Sequence, residues 1–302
     1  MALFQIVTFD GGGVYGAISA ALMTRLERAR PGFVESVDLF SGTSTGGIIA
    51  LLLAAGFSAA EVLEFYRSIG QSIFPFEVKR RIRGADGLLH SRYSNVPLKR
   101  ALSSKFGSLR ICDLTKKVLI PAFKLDSSDG NSRAWKTAFF SNMGSNPSTD
   151  LVVDVALRTS AAPVMFPSHQ GFVDGGLTVN NPSMCALSEC VAQGMTMTDI
   201  RLLSVGTGIA EDFIKGDVDW GAARWIVPLL RIMLLAGMDV QDFHCQQMLG
   251  PRQYHRVNTV APGSVQMDDA SKIPRLIDIA DAADITPALQ WISEFSPIAK
   301  AG

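Results

Sequence analysis

The fold is decided by one stretch of the sequence, Val34-Glu-Ser-Val-Asp-Leu-Phe-Ser-Gly-Thr-Ser-Thr-Gly-Gly-Ile-Ile-Ala-Leu-Leu-Leu-Ala-Ala55. Its first part, Val34 to Phe40, predicts a β-strand because valine, leucine and phenylalanine dominate it. Ser41 to Gly47 predicts a tight glycine-rich turn, and Ile48 to Ala55 predicts an apolar helix that ends at Gly56. The stretch therefore combines a strand, a turn and a helix.

The start of the chain has the same order of elements. Residues 3–9 predict a strand, and residues 10–16 form a second glycine-rich turn. Ile18, Leu22 and Leu26 then recur at the four-residue spacing of a helix. Because the order strand, glycine turn, helix occurs twice, it predicts parallel strands joined by crossover helices, which is an α/β fold.

Later segments extend this pattern. Residues 117–123, 135–140 and 201–205 predict strands, and residues 152–161 predict a helix. The sequence contains no internal repeat, low-complexity tract or linker. We therefore expect one domain over residues 1–302, a three-layer α/β/α fold with a mostly parallel central sheet. Its site should lie at the carboxyl ends of the strands.

The composition is that of a globular chain without a strong electric field. Of the 302 residues, 47% are hydrophobic and 19% are charged, which excludes a disordered chain. The 28 basic residues balance the 28 acidic ones, so no field attracts nucleic acid. Four cysteines without a CxxC pair or a cluster with histidines predict free thiols and no metal site. Without a signal-peptide pattern or an apolar run of ~18–20 residues, we expect a cytoplasmic protein.

The segment Gly42-Thr43-Ser44-Thr45-Gly46 fits the G-x-S-x-G pattern of a serine nucleophile. Small residues beside Ser44 allow a strained turn that lifts its hydroxyl clear of the backbone. The following helix N-terminus favours the negative charge that develops during acyl transfer. A glycine-rich turn with an incidental serine is the alternative, but the position between a strand and a helix favours a nucleophile.

The segment Asp10 to Gly16 fits two functions. Gly11, Gly13 and Gly16 match the dinucleotide-binding fingerprint G-x-G-x-x-G after a strand and before a helix. The amides of successive glycines can instead form an oxyanion hole, in which one donor is typically worth ~10²–10³ in rate. A dinucleotide-binding domain has no use for an exposed serine directly after its second strand, so the sequence favours the oxyanion loop.

Asp174 ends a short apolar segment and is followed by Gly175-Gly176. If that segment is a strand, the carboxylate lies at the strand end, where it can face a site. An ordinary Asp-Gly turn has the same pattern, and the local sequence leaves both interpretations open.

Four motifs in this order resemble those of the patatin-like phospholipases, a family of lipid acyl hydrolases. They are Asp10-Gly11-Gly12-Gly13 with Gly16, Gly42-Thr43-Ser44-Thr45-Gly46-Gly47, Ser160-Ala161-Ala162-Pro163 with Phe166-Pro167, and Asp174-Gly175-Gly176 with Asn180-Asn181-Pro182. Ser204-Val205-Gly206-Thr207-Gly208 is similar to a further family segment. The resemblance covers residues 6 to about 259.

The resemblance implies a patatin-like fold and a Ser–Asp dyad without a metal or organic cofactor. Ser44 would attack the ester carbonyl, and Asp174 would take its proton. The amides of Gly11, Gly12 and Gly13 would form the oxyanion hole. A free Asp has a pKa of ~3.9, so burial would have to raise the pKa of this carboxyl for it to act as a base.

The implied substrates are fatty-acyl esters of phospholipids, lysophospholipids or related glycerolipids, which would be cleaved through an acyl-enzyme. We expect the protein to make peripheral membrane contact and to have no nucleic-acid partner. Tyr15 departs from the family pattern, which usually has Arg or Lys there, and this leaves the head-group preference open. A short-chain carboxylesterase or thioesterase is one alternative. A membrane-targeting effector whose hydrolase is silent until a ligand activates it is another.

Other residues admit further interpretations. His169 lies five positions before Asp174, whereas His244 and His255 follow it. Either late histidine would allow a triad in the order Ser…Asp…His, but the dyad is favoured. Residues 225–235 form the most apolar stretch and predict a helix, for which packing on the sheet with Arg231 exposed is favoured over contact with lipid.

The basic segment at residues 77–93 predicts a surface excursion. Its residues Arg80, Arg81 and Arg83 could meet anionic head groups, but a solvated loop is favoured.

Overall fold

The computed structural model describes residues 3–74, 90–128, 133–210, 214, 216–261 and 265–294. Most of the basic segment predicted as a surface excursion lies outside the described residues, and so do Arg80, Arg81 and Arg83.

The strands form a mixed sheet and one small separate pair. In chain order they are β1 (Phe4–Phe9), β2 (Leu39–Gly42), β3 (Lys117–Ser128), β4 (Arg133–Ser141), β5 (Phe172–Asp174), β6 (Ile200–Val205), β7 (Ile209–Ala210), β8 (Tyr254–Val257) and β9 (Val260–Ala261). The seven-stranded sheet has the order β4-β3-β2-β1-β6-β8, with β5 paired to β3 off this path, and β7 pairs with β9. Along the sheet order β3-β2-β1-β6-β8, every pair of neighbouring strands is parallel. Strands β4 and β5 run antiparallel to β3. The predicted, mostly parallel central sheet is confirmed.

Helices cover both faces of this sheet. They are α1 (Gly16–Ala29), α2 (Phe33–Ser36), α3 (Thr45–Ala54), α4 (Ala59–Ile73), α5 (Val96–Phe106), α6 (Val152–Thr159), α7 (Ser183–Ala192), α8 (Ala222–Leu249), α9 (Ile273–Ala282) and α10 (Thr286–Ser293). Because strand side chains alternate between two faces, Val7 of β1 enters a core with α1, α3 and α4, whereas Ile6 enters a second core with α7 and α8. This is the predicted three-layer arrangement.

The parallel register of β1 and β2 brings the two glycine-rich turns together. Phe9 at the end of β1 lies opposite Gly42 at the end of β2. The amide of Thr43 then donates to the carbonyl oxygen of Phe9 at 3.2 Å. Both turns therefore meet at the same edge of the sheet, at the carboxyl ends of the strands, which is where α/β proteins place their sites.

The strand predicted from Val34 is wrong in its first half. Phe33–Ser36 forms a short helix, and β2 begins only at Leu39. The carboxylate of Glu27 accepts hydrogen bonds from the amides of Gly32 at 3.0 Å and Val34 at 2.7 Å, and so satisfies the first amides of this helix. The local apolar pattern gives no sign of that contact.

Helix α8 departs from the packing that the sequence favours. Its C-terminal half contributes Cys245 and Leu249 to the second core. In its N-terminal half, however, Leu229 and Met233 are exposed and Arg231 is half-buried. The prediction that this apolar stretch packs on the sheet with Arg231 exposed is therefore wrong for Leu229, Arg231 and Met233. Among the described residues, no helix combines the length and the apolar character needed to cross a bilayer.

Candidate active site

Ser44 occupies the turn between β2 and α3. Its φ of 55° and ψ of −120° lie in a region that residues other than glycine rarely adopt. A Cβ at Gly42 would lie 2.0 Å from the carbonyl oxygen of Gly46, and a Cβ at Gly46 would lie 2.3 Å from that of Phe9. Only glycines fit these two positions, so the G-x-S-x-G pattern reflects the close packing of this turn. Ser44 also lies at the N-terminus of α3, where the helix dipole favours negative charge.

The backbone of Ser44 is held by a threonine that the sequence did not single out. Thr159, the last residue of α6, accepts a hydrogen bond from the Ser44 amide at 3.0 Å. Its hydroxyl donates in turn to the carbonyl oxygen of Pro121 on β3 at 2.6 Å. This link ties the strained turn to the neighbouring strand and helix, which supports a backbone conformation that would otherwise relax.

Asp174 is the last residue of β5 and lies opposite Ala122 of β3. It is buried, and its Oδ1 accepts a hydrogen bond from the amide of Gly176 at 2.8 Å. Burial raises the pKa of Asp174 to about 6, because the ionised carboxylate loses hydration. The hydrogen bonds from Ser44 and Gly176 favour the ionised form and lower the pKa by less.

The structure brings these two predicted site residues together. Ser44 Oγ donates to Asp174 Oδ2 at 2.6 Å, although 130 residues separate them in the sequence. At this distance a proton can pass directly from the hydroxyl to the carboxylate. A carboxyl with a pKa near 6 is mostly ionised at neutral pH, yet it is a stronger base than a free Asp. The arrangement can therefore activate the hydroxyl without a histidine.

The histidines have other surroundings. His169 Nε2 lies 2.8 Å from Asp154 Oδ1, His255 stacks on the ring of Trp291, and His244 is exposed on α8. In the part of the chain that the structure describes, none of the three is hydrogen-bonded to the serine or the aspartate of the pair above. Within the same ranges, no three His, Cys, Asp or Glu side chains are grouped so that they could hold a metal ion.

The glycine loop after β1 offers two amides to this site. Gly12 and Gly13 line the cavity that contains Ser44, and no hydrogen bond among the described residues engages their N–H groups. The N–H of Gly11 instead donates to the carbonyl oxygen of Asn180 at 3.0 Å. The prediction that Gly11 is an oxyanion donor is therefore corrected. Its amide fixes the loop, and a Cβ there would lie 2.2 Å from Asn180 Oδ1.

Two buried contacts anchor this loop. Asp10 is fully buried and pairs with Arg256 of β8, whose Nη2 lies 2.5 Å from Asp10 Oδ2. Tyr15 is also buried and donates its hydroxyl to the carbonyl oxygen of Val265 at 2.8 Å. Tyr15, at the position where the resemblance leads one to expect Arg or Lys, is thus buried here and anchors the loop. Sequence reasoning missed Arg256 because its partner lies 246 residues away.

Ser44 and Asp174 line a cavity of about 1000 Å³, a volume that includes the open solvent space at the cavity mouth. Its walls are almost entirely apolar and come from distant parts of the chain, including Ile69 of α4, Leu98 of α5 and Leu234 of α8. Burial of one CH₂ group is worth about 0.8 kcal/mol, so such a cavity suits a fatty-acyl chain.

Comparisons with known proteins identify the family. A family model described as patatin-like phospholipase matches residues 7–187. The chain is 30% identical to protein teg of Priestia megaterium over 97% of this chain and 98% of that protein. It is 31% identical to a cGAMP-activated phospholipase of Pseudomonas aeruginosa over 91% of this chain and 82% of that protein. Among solved structures, VipD from Legionella pneumophila aligns with 98% of this chain and 67% of its own, at 12% identity and a TM-score of 0.48.

The match of the family model covers more than half of the chain and includes both glycine-rich turns and Asp174. This protein belongs to the patatin-like phospholipase family.

Proposed function

We propose that this protein is a serine acyl hydrolase that cleaves fatty-acyl esters of phospholipids, lysophospholipids or related glycerolipids. Family membership supports lipid hydrolysis, and the apolar cavity beside Ser44 supports a long acyl chain as the bound group. The observation that carries the proposal is the 2.6 Å hydrogen bond from Ser44 Oγ to the buried Asp174 carboxylate.

In the first half of the reaction, Ser44 Oγ attacks the ester carbonyl carbon while its proton passes to Asp174 Oδ2. The negative charge of the tetrahedral intermediate develops on the former carbonyl oxygen. The amides of Gly12 and Gly13 donate hydrogen bonds to it. When the intermediate collapses, the bond to the leaving alcohol breaks and Asp174 returns the proton to that alcohol.

In the second half, a water molecule attacks the acyl-Ser44 ester and Asp174 takes a proton from it. The same two amides stabilise the second intermediate. Collapse releases the fatty acid, and the proton held by Asp174 returns to Ser44 Oγ. Each half therefore uses one carboxylate as base and then as acid, which requires a pKa that lies near the working pH.

Covalent labelling tests the nucleophile. A fluorophosphonate probe should label the protein once, and Ser44→Ala should abolish the labelling. Ser160→Ala is the matched control, because Ser160 lines the same cavity but donates its hydroxyl to the Ala156 carbonyl oxygen at 2.6 Å. Labelling that survives in Ser44→Ala, or that is lost in Ser160→Ala, would contradict the assignment.

Turnover of lipid substrates tests the base. Asp174→Asn should remove phospholipid hydrolysis, because the amide cannot take the proton of Ser44, while circular dichroism should show an intact fold. Activity at the wild-type level in this variant would rule out the dyad. A panel of lysophospholipid, diacyl phospholipid and short-chain esters then separates a lipid hydrolase from a short-chain esterase or thioesterase.

A further inference from the structure

Helix α8 carries an apolar stripe on its outer face. We define this stripe as Leu229, Ile232, Met233, Ala236, Val240 and Phe243, all of which are exposed. Their spacing of three and four residues places them on one side of the helix. Met233 is 52% exposed and Phe243 is 58% exposed. Apolar faces of surface helices normally point to the core, so a row of exposed apolar side chains indicates a contact with something outside the chain.

The other side of α8 is already in use. Met238, Cys245 and Leu249 are buried, the last two in the core shared with α7. Asp242 lies off the stripe and accepts a hydrogen bond from the Tyr254 hydroxyl at 2.6 Å. The helix is thus held in place by its inner side, and the stripe is not needed for packing.

The stripe and the candidate active site share this one helix. Leu234, next to Met233 in the sequence, lines the cavity that contains Ser44. Its carbonyl oxygen lies 3.4 Å from Asn180 Nδ2, and the backbone of Asn180 holds Gly11 of the glycine loop. This part of α8 therefore carries the stripe on its outer side and forms a wall of the cavity with its inner side.

We propose that the stripe docks the protein on the surface of a phospholipid bilayer. This inference rests on the proposed function, because a lipid acyl hydrolase has to take its acyl chain out of a lipid aggregate. The stripe would bring a wall of the cavity to that aggregate. Residues 229–243 extend over about 21 Å, which is enough for a helix that lies in the plane of the interface.

The side chains around the stripe fit this occupant. The stripe itself has no charged residue, as insertion into the acyl boundary requires, and the exposed Asp239 lies at its edge, where a carboxylate can stay at the head-group level. Trp225 lies one turn before Leu229 on the same side. The centroids of its ring and of the Trp220 ring are 5.3 Å apart. Indole rings favour the head-group level of a membrane. A second protein fits less well, because a single row of side chains is narrow compared with the ~800 Å² that each partner buries in a stable interface.

Sedimentation with phosphatidylcholine vesicles tests this docking surface. The double variant Val240→Glu/Phe243→Glu puts two charges into the stripe and should lower the vesicle partition coefficient at least about ten-fold. Val191→Glu on α7 is the matched control, because Val191 is 44% exposed and Val240 is 48% exposed. It should bind like the wild type. Raising NaCl from about 0.1 M to about 0.5 M should change wild-type binding by less than about two-fold, because salt does not screen apolar insertion.

Hydrolysis of a water-soluble butyrate ester separates docking from chemistry. The double variant should keep the wild-type kcat/KM on this ester, and Ser44→Ala should bind vesicles normally without turnover. Docking by the stripe is wrong if the double variant binds vesicles like the wild type or if Val191→Glu loses binding equally. Docking on a bilayer is also wrong if the stripe variants change only the molecular mass that sedimentation without vesicles measures. That result would indicate that the stripe binds a second copy of the chain. Vesicle binding by a wild-type protein that hydrolyses neither ester nor phospholipid would contradict the proposed function alone.

Discussion

In the proposed mechanism, Asp174 has to be both a buried group and a base. Burial raises its pKa to about 6, and the hydrogen bonds from Ser44 and Gly176 oppose this shift. The proposed mechanism needs the ionised carboxylate in the free enzyme, so kcat/KM should fall about ten-fold per pH unit below pH 6 and be level above it. The pH profile of a water-soluble ester between pH 4.5 and 8.5 measures this limb. An acid limb near pH 4 would show a carboxyl with an ordinary pKa and contradict the assigned base.

The same burial makes the ionised carboxylate costly for stability. The pKa of Asp174 in the folded protein, about 6, exceeds its ordinary value of 3.8, so folding favours the protonated form. The resulting stabilisation is complete below pH 3.8 and is lost as the pH rises through 6. Asp174→Asn cannot ionise, so it should raise the free energy of unfolding by up to about 3 kcal/mol at pH 8 and by much less at pH 4.

Urea unfolding of both proteins at the two pH values measures this difference. Asp281→Asn is the control, because Asp281 is an exposed residue of α9, and its effect should be small at both pH values. Equal effects of Asp174→Asn at pH 4 and pH 8 would mean that the charge of the carboxylate is not the cause.

Between elements, the ion pair of Asp10 and Arg256 fixes the glycine loop after β1 to β8. Arg256→Gln leaves a carboxylate buried without its partner, so we expect a loss of about 3–5 kcal/mol in stability. Because the loop that carries Gly12 and Gly13 would lose its anchor, kcat on the water-soluble ester should fall about ten- to hundred-fold. Urea unfolding and steady-state kinetics measure the two effects.

Two further variants distinguish the buried charge from general damage to β8. Asp10→Asn/Arg256→Gln removes both charges and should recover most of the lost stability. Arg133→Gln breaks a pair with Asp126 that lies on the surface, and should change neither stability nor kcat. A double variant as unstable as Arg256→Gln would show that the ion pair is not what holds the loop.

Among the structural elements, the sequence was most informative where the local sequence pattern and the tertiary packing favour the same conformation. The turn around Ser44 could be predicted because its glycines are required by close packing within the turn itself. The strand predicted from Val34 failed because Glu27, a residue of α1, caps a short helix there. The pairing of Asp10 with Arg256 could not be predicted, because single residues far apart give no periodic signal.

For the whole molecule, the cavity should determine which acyl chains are cleaved. Ile69 of α4 is buried in its wall, so Ile69→Trp should lower kcat/KM for long-chain p-nitrophenyl esters at least about ten-fold relative to the butyrate ester. Val96→Trp, at an exposed position of α5, should leave the chain-length profile unchanged. A uniform loss over all chain lengths in Ile69→Trp would indicate damage to the dyad rather than a smaller cavity.

At the same scale, the order of the motifs predicted the family, and the parallel sheet explains why motifs far apart can meet. The carboxyl ends of β1 and β2 share one edge, and β5 delivers Asp174 beside it. The sequence could not show that Asn180 takes the amide of Gly11, since this depends on how two loops cross. It also could not show which side of α8 faces outward, because residues 225–235 are apolar nearly all round.

The dependence of Gly11 on Asn180 has a consequence for synthesis on the ribosome. The growing chain contains the serine and both glycine turns long before Asp174 and Asn180 emerge from the exit tunnel. Until then the Ser44 hydroxyl lacks its hydrogen-bond partner Asp174, and the amide of Gly11 lacks the carbonyl oxygen of Asn180. The proposed dyad therefore cannot form until more than half of the chain has been translated, and any hydrolysis that depends on it begins late in synthesis.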